Sequence, residues 1–383
     1  ERKAPLLKKS LPARTHTQRR PYQRIKPWTI SSVMSSTSST SYSAGTSAAE
    51  ISMTDCTITT SASGANGAFA FGEKATVTLD HVTINTTGSD NSRGVDATYG
   101  GTVTITNSVI STTGGSCAAL ATDRYDQASA PKVTATNCIG TTSGTGSPGI
   151  YCTGTFNVTD CTLTASGSEA AVIEGLNSIT LTNTTISGNA KWGVMIYQSM
   201  SGDSSTGTGT FVMTGGTLEN NYSSGPMFFV CNTDAVITLD GAALTNSSDT
   251  LLIAGTASAA SSVISNVNSS WGTKGGEVTF SASNQALAGK IILCDSSSSL
   301  ALTLVKSTLS STVNTANKGT ASITMDAASS WTAQGDSYLT SLSDADGTYA
   351  NIDSAYNIFV NGATSLSYST CRTLAAGGKL YIK

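Results

Sequence analysis

Apolar and hydroxyl-bearing residues alternate along much of this chain with a period of two. The segment of residues 178–186 has the clearest pattern, because Ile179 and Leu181 alternate there with threonines. Such a period is typical of a β-strand that buries one of its two faces. Asn183 follows, and asparagine tolerates the left-handed backbone conformation that a sharp corner requires. The segment therefore predicts a strand, a one-residue corner and a second short strand.

The same unit recurs eleven times, at intervals of 21 to 41 residues. Its first apolar residue is Ile51, Val77, Val103, Val133, Phe156, Ile179, Phe211, Ile237, Val278, Leu302 and Ile323 in turn. The corner position, four residues later, is Asp55, His81, Asn107, Asn137, Asp160, Asn183, Gly215, Gly241, Ala282, Lys306 and Ala327. Strand repeats with loops of variable length indicate a solenoid, in which only the strands must stay in register. We predict an all-β right-handed parallel β-helix, a single-stranded solenoid of ten to twelve coils over residues 45–383, closed by less regular C-terminal strands around residues 356–360 and 379–382.

Charge is distributed unevenly along the 383 residues. Residues 1–27 hold nine of the 21 Lys and Arg residues and one acid, and a Ser/Thr-rich stretch follows. We predict that residues 1–44 form a disordered extension. The remainder has a net charge of −11, from 12 basic and 23 acidic residues, which disfavours nucleic acid as a partner. No run of 18 apolar residues exists, so no membrane-spanning helix is predicted. We expect a monomer.

Eight cysteines are present, and none forms a CxxC pair of the kind that holds zinc. Cys56, Cys138 and Cys161 each follow a corner residue directly, so they share one column of the solenoid. Two interpretations stay open at this point. The three are small buried residues of an interior ladder, or Cys138 and Cys161, which lie in consecutive coils, form a cross-coil disulfide.

The segment before each alternating unit predicts the third strand of the coil and its following turn. Larger polar and aromatic side chains concentrate there, and we take them as candidate ligand-binding residues: Arg93, Asp96, Tyr99, Asp123, Arg124, Tyr151, Glu174, Tyr197, Gln198, Asn232 and Asp234. Outward side chains of consecutive coils lie about 4.8 Å apart. An open wall of rings, carboxylates and amides suits a long polar polymer such as a polysaccharide, although large solvated residues at a strand edge would give the same pattern.

An enzyme of the polysaccharide lyase or glycoside hydrolase type is an alternative. Glycosidases need two carboxylates about 5–9.5 Å apart, and Asp96 and Asp123 could meet that spacing from adjacent coils. Asn232-Thr233-Asp234 matches the Asn-Thr-Asp motif of polygalacturonases. The Asp-Asp and Gly-His-Gly motifs that accompany it in those enzymes do not follow it here. The sequence therefore favours a non-catalytic protein.

Threonine rows suggest a third function. The second position of the unit is Thr in eight of eleven copies and the fourth is Thr in six, which resembles the Thr arrays of ice-binding proteins. Thr is also the common polar residue of any exposed strand face.

The Gly-rich V-T-[IL]-T-N coils resemble the secreted or surface-attached right-handed β-helix proteins of anaerobic bacteria. Residues 92–101, 167–175 and 193–203 are similar to adhesin-like coils, and the chain is also similar to pectate-lyase-like carbohydrate-binding β-helix proteins. The resemblance covers about residues 45–331. It implies an extracellular or cell-surface location, and binding of a polysaccharide or cell-surface glycan or a role in adhesion. Calcium is the one cofactor that it suggests, with no ligand residues that can be assigned.

Overall fold

A computed structural model describes residues 29–31 (backbone only), 48–123 and 129–383. These residues form a right-handed parallel β-helix, as the repeat predicted. Each regular coil contributes one strand to each of three sheets, which we number in the order in which a coil passes through them. Sheet 1 holds the alternating unit, sheet 2 follows the corner, and sheet 3 holds the candidate binding residues.

Sheet 1 runs along the described part of the solenoid as twelve parallel strands. They are Ala49–Thr54, Ala75–Asp80, Thr102–Thr106, Lys132–Thr136, Thr155–Thr159, Ser178–Thr182, Thr208–Thr214, Asp234–Asp240, Glu277–Ser283, Ser299–Val305, Thr320–Met325 and Ser341–Asp344. The register places equivalent residues of successive repeats next to one another. Ile179, for example, lies between Phe156 and Phe211. At about 4.8 Å between strands, this sheet is about 50 Å long.

Sheets 2 and 3 have nine strands each in the described residues. Sheet 2 comprises Thr29–Ser31, Thr57–Thr60, Thr83–Thr86, Val109–Thr112, Ile139–Thr142, Thr162–Ala165, Thr185–Gly188, Thr217–Asn220 and Ala243–Asn246. Sheet 3 comprises Ala68–Phe71, Val95–Thr98, Leu120–Asp123, Ile150–Cys152, Ala171–Glu174, Val194–Tyr197, Phe228–Cys231, Thr250–Gly255 and Lys290–Leu293. Thr29–Ser31 belongs to the predicted extension 1–44 yet pairs with residues 57–59, while the rest of that extension lies outside the described residues.

Two shorter sheets close the C-terminal coils. One comprises Ala286–Ala288, Thr308–Ser311, Ser330–Ala333 and Ile352–Ser354, and the other Ser337–Leu339, Ile358–Val360, Lys379–Ile382 and Thr370–Thr373. The predicted closing strands around residues 356–360 and 379–382 are confirmed. The strand at the edge, Thr370–Thr373, pairs antiparallel with Lys379–Ile382.

Ten of the eleven corners adopt the left-handed conformation that the sequence predicted, whereas Ala327 in the last repeat does not. Their φ values run from 48° to 62°, for Asp55, His81, Asn107, Asn137, Asp160, Asn183, Gly215, Gly241, Asn284 and Lys306. Amide side chains stack along this edge, since Asn137 Nδ2 donates to Asn107 Oδ1 at 2.7 Å. The sequence alignment of the ninth repeat was wrong, because Phe280 and not Val278 pairs with Ile237. The corner of this repeat is therefore Asn284 and not Ala282. A shift of two residues keeps every side chain on its own face, which is why the alternation did not reveal it.

The position after the corner forms an interior hydrogen-bonding ladder. The Cys138 amide donates to Cys161 Sγ at 3.3 Å, and the Cys161 amide donates to Thr184 Oγ1 at 3.3 Å. In the same way, the Val82 amide donates to Ser108 Oγ at 2.9 Å. A small side chain with an acceptor atom therefore satisfies each of these amides from the next coil. All eight cysteines lie in the described part of the chain and are free thiols.

Regular helix is confined, in the described residues, to Ala257–Ser261, which Thr256 caps through its side chain. This helix belongs to the insertion of residues 256–276, which accounts for the longest interval between repeats. Among the described residues, no helix is long and apolar enough to cross a membrane.

Candidate functional site

The outward face of sheet 3 is largely covered, so the expected open wall is wrong. A second apolar layer lies on it, in which Trp192 packs against Phe229 with ring centroids 4.5 Å apart. The helix Ala257–Ser261 and Trp271, from the insertion, belong to the same layer. Two of the candidate carboxylates on this sheet are also buried: Asp96 is 2% exposed and Glu174 is 1% exposed.

Arg93 joins Asp96 to Asp123, which come from adjacent strands of sheet 3. Arg93 Nη1 donates to Asp96 Oδ2 at 3.2 Å and also to Asp123 Oδ2. Its guanidinium lies 5.6 Å from the centre of the Tyr151 ring. Burial raises the pKa of the Asp96 carboxyl to about 6, although the Arg93 charge opposes that change. The sequence predicted that the two carboxylates would be neighbours, and they are, but one buried arginine holds both.

Glu174 accepts hydrogen bonds from two of the candidate tyrosines. Its Oε2 accepts from the Tyr151 hydroxyl at 2.9 Å and from the Tyr197 hydroxyl at 3.2 Å. Its Oε1 accepts from the Ser199 hydroxyl and from the Ser199 amide. Burial raises the pKa of both tyrosines, so the phenols stay protonated and serve as donors. Both rings are half-buried, and the Tyr197 ring meets Trp271 with centroids 4.9 Å apart.

Two candidates lie apart from these groups. Tyr99 has a left-handed backbone, with φ of 57°, and its ring stacks on Phe71 at 5.4 Å. Arg124 lies outside the described residues.

The remaining candidates line a cleft of about 550 Å³ where sheet 3 passes into sheet 1 beneath the insertion. Its lining comprises Gln198, Met200, Thr206, Gly207, Asn232, Thr233, Asp234, Gly272, Thr273 and Lys274. Asn232 fixes the insertion in place, because its Nδ2 donates to the carbonyls of Gln198 at 2.9 Å and Trp271 at 3.0 Å. Its Oδ1 accepts the Lys274 amide at 2.9 Å. One amide side chain thus holds both walls of the cleft together.

Charge in the cleft is concentrated in one ion pair. Lys274 Nζ contacts Asp234 Oδ1 and lies 3.6 Å from Glu277 Oε1, and the Lys274 and Asp234 side chains are 45% and 37% exposed. Gln198 is only 3% exposed and its Oε1 has no hydrogen-bond partner. Sequence reasoning missed Lys274 and Trp271. The 41-residue interval predicted a loop there, but not the surface on which the loop would lie.

The carboxylates of this region do not form a free pair. Asp96 and Asp123 are both bonded to Arg93, and Glu174 is saturated by hydroxyl and amide donors. Among the described residues that line the cleft, Asp234 is the one carboxylate. No group of three or more His, Cys, Asp or Glu residues that could hold a metal ion occurs in the described chain. We therefore assign no residues to calcium.

Comparisons of this chain with protein-family models, with curated protein sequences and with solved structures found no match. The assignment of a parallel β-solenoid therefore rests on the observed strand pairing.

Proposed function

We propose that this protein is a secreted or cell-surface β-helix that binds a polysaccharide without cleaving it, in the cleft between sheet 3 and the insertion. The observation that carries the proposal is the lining of that cleft. The exposed Thr206 and Thr273 line the cleft together with the Asp234–Lys274 ion pair. Sugar hydroxyls both donate and accept, and a lining that offers both kinds of group suits them.

The neighbouring rings extend the surface that a sugar chain would follow. Tyr197 precedes Gln198 on the strand, and Trp271 precedes Gly272 on the insertion. The two half-buried rings contact each other, so they are held at the cleft rather than free to rotate. Aromatic rings give the C–H faces of sugars a stacking surface.

Rigidity supports the same conclusion. The backbone contacts of Asn232 fix both walls before any ligand arrives. A pre-organised cleft loses little conformational entropy on binding, so modest contacts with successive sugar units accumulate.

The arrangement of carboxylates favours binding over hydrolysis. Glycoside hydrolysis uses two carboxyl groups on either side of the scissile bond. Asp234 is paired with Lys274, and the nearby Glu174 already accepts from Tyr151, Tyr197 and Ser199.

The test is retention on a panel of insoluble polysaccharides, with and without calcium, followed by calorimetry with oligosaccharides of any polymer retained. The double variant Asp234→Ala with Lys274→Ala should weaken binding about tenfold or more, since each hydrogen bond to a charged group contributes about 1.5–3 kcal/mol. Asp249→Ala with Lys290→Ala is the matched control, because it removes another exposed cross-coil ion pair, away from this cleft.

Three outcomes would count against the proposal. If the protein were retained on no polymer, the proposed function would be wrong. If both double variants weakened binding equally, the cleft would not be the binding site. Release of reducing or unsaturated sugars by the wild-type protein would make it an enzyme.

A second candidate function, ice binding, is supported by the open face of sheet 1. Thr78, Thr104 and Thr134 stack in register on its outward side, and each is exposed or half-exposed. Asn157 and Val212 interrupt the column on either side of Thr180. Thr104→Leu combined with Thr180→Leu should abolish thermal hysteresis if this face binds ice. Absence of thermal hysteresis in the wild-type protein would exclude this function.

A further inference from the structure

Cys138 and Cys161 occupy the same ladder position in consecutive coils. The flanking strands fix their register, because Thr136 pairs with Thr159 and Ile139 with Thr162. The Cys138 amide donates to Cys161 Sγ at 3.3 Å, so the sulfur of one residue lies directly against the backbone of the other. The two side chains are therefore nearest neighbours along the solenoid axis.

The spacing of their backbones lies within the range found in disulfide-bonded cysteines. Neighbouring strands lie about 4.7–4.9 Å apart, and disulfide-bonded residues have Cα atoms about 4.4–6.8 Å apart. Both side chains also point the same way, since Cys138 Sγ contacts the Thr136 carbonyl at 3.3 Å and Cys161 Sγ contacts the Thr159 carbonyl at 3.2 Å. Bond formation would require side-chain rotation and a slightly closer approach of the two Cβ atoms, which lie about 3.5–4.5 Å apart in disulfides.

We propose that Cys138 and Cys161 form a disulfide across consecutive coils when the chain folds in an oxidising compartment. The thiols are 1% and 2% exposed in the folded protein, so the reaction takes place while these coils are closing. The oxidant is a small-molecule disulfide, which supplies the two electron-accepting sulfur atoms.

The chemistry proceeds by two exchanges. While the coils are closing, one of the two thiols, here Cys138, attacks the oxidant as its thiolate. Attack breaks the S–S bond of the oxidant, forms a mixed disulfide on Cys138 and releases one small thiol. Cys161 then loses its proton and attacks the Cys138 sulfur, which releases the second small thiol. Two protein thiols are oxidised and one small disulfide is reduced to two thiols.

Cys231 and Cys294 serve as an internal contrast. Both belong to the apolar layer outside sheet 3, but the strand Thr250–Gly255 lies between theirs. Two strand spacings separate them by about 9.5 Å, beyond the roughly 7 Å limit for a disulfide. The folded geometry therefore accommodates a disulfide between Cys138 and Cys161 but not between Cys231 and Cys294.

The test is to refold the full-length chain from denaturant with oxidised and reduced glutathione, then to unfold it and alkylate the free thiols. We expect six alkylated cysteines, the eight of the chain less two, and a peptide map that joins the segments of Cys138 and Cys161. The cross-linked protein should melt at a higher temperature than the same protein after reduction.

Cys138→Ser and Cys161→Ser are the control variants. Serine already occupies this ladder position at Ser108 and Ser307, so both variants should fold. In each, all seven remaining cysteines should be alkylated, and the effect of reduction on the melting temperature should vanish. Alkylation of all eight thiols in the wild-type chain, or a cross-link at another pair, would overturn the proposal.

Discussion

Sheets 1 and 3 are built from strands of one chain and one register, yet their outward faces differ. On sheet 1, the strand Ser178–Thr182 alternates between half-exposed and buried residues along its length. On sheet 3, all four residues of Phe228–Cys231 are buried. Phe228 points into the solenoid and Phe229 points out of it, but neither is exposed to solvent.

The two faces differ in their outward residues, which include Met195, Phe229 and Ile253 on sheet 3 but mainly threonines on sheet 1, and also in what covers them. Residues 256–276 pack on the C-terminal part of sheet 3, in the layer that contains Phe229 and Ile253, whereas the outward threonines of sheet 1 are exposed or half-exposed. The polar cleft lies beneath this insertion, and Gly272, Thr273 and Lys274 of the insertion line it. Irregular insertions thus create sites that a regular coil alone lacks.

The largest expected effect compares the inner core with the second apolar layer on sheet 3. Phe228→Ala removes a ring that packs between Phe211 and Phe280 in the inner core, and should cost about 3–5 kcal/mol of unfolding free energy. Phe229→Ala should cost nearly as much, because its ring is also fully buried, against Trp192. Chemical denaturation of both variants measures the two losses.

Phe69→Ala is the matched control for Phe229. Phe69 occupies the outward face of the first strand of sheet 3 but is 46% exposed. Its replacement should cost well under half as much as that of Phe229. If the Phe229 and Phe69 variants lost equal, small amounts, the second apolar layer would contribute little to stability.

The next prediction concerns the buried carboxylate of Asp96. With a pKa of about 6 in the folded state, Asp96 keeps a proton that the unfolded chain releases near pH 4. Stability therefore falls as the pH rises from about 4 to about 6. Relative to the Asp96→Asn variant, the wild-type protein should lose on the order of 2 kcal/mol over this range. Denaturant titrations of both proteins at several pH values measure the difference.

Arg93 and Asp123 are the charged groups that face Asp96, and they act in opposite directions on its pKa. Parallel pH profiles for the two proteins would mean that the Arg93 charge prevails and that Asp96 stays ionised throughout. The outward face of sheet 3 would then hold a fully ionised cluster.

Local patterns were sufficient to predict the regular part of the fold. Period-two alternation assigned Ile179 and Leu181 to the interior, and residue type assigned Asn183 to a left-handed corner. The alignment failed at Val278, directly after the longest insertion, because a shift of two residues leaves the alternation unchanged.

The candidate site was predictable only in part. Adjacent coils predicted that Asp96 and Asp123 would be neighbours, and that pairing is confirmed. The sequence did not indicate that Arg93 would hold both, or that Trp271 and Lys274 would cover the same face. Loop docking depends on packing between residues that are far apart in the chain, and strand periodicity carries no information about it.

The smallest expected effect belongs to the regular side of the molecule, at the corner between sheets 1 and 2. Asn183 has a φ of 48°, and a β-branched residue is strained there by about 1–2 kcal/mol. Asn183→Val should therefore lower the unfolding free energy by about that amount. Asn183→Gly should cost less, because glycine adopts positive φ freely.

Thr180→Val is the control for the Asn183 variants, since it introduces valine in the middle of the preceding strand, Ser178–Thr182, where the backbone is extended. Melting temperatures and denaturant midpoints of the three variants separate backbone strain from a general cost of valine. If the Asn183→Val protein were as stable as the Thr180→Val protein, the corner would tolerate β-branching. In that case the regular coils would depend on stacking between coils, as sheet 3 depends on its cover, and not on local corner geometry.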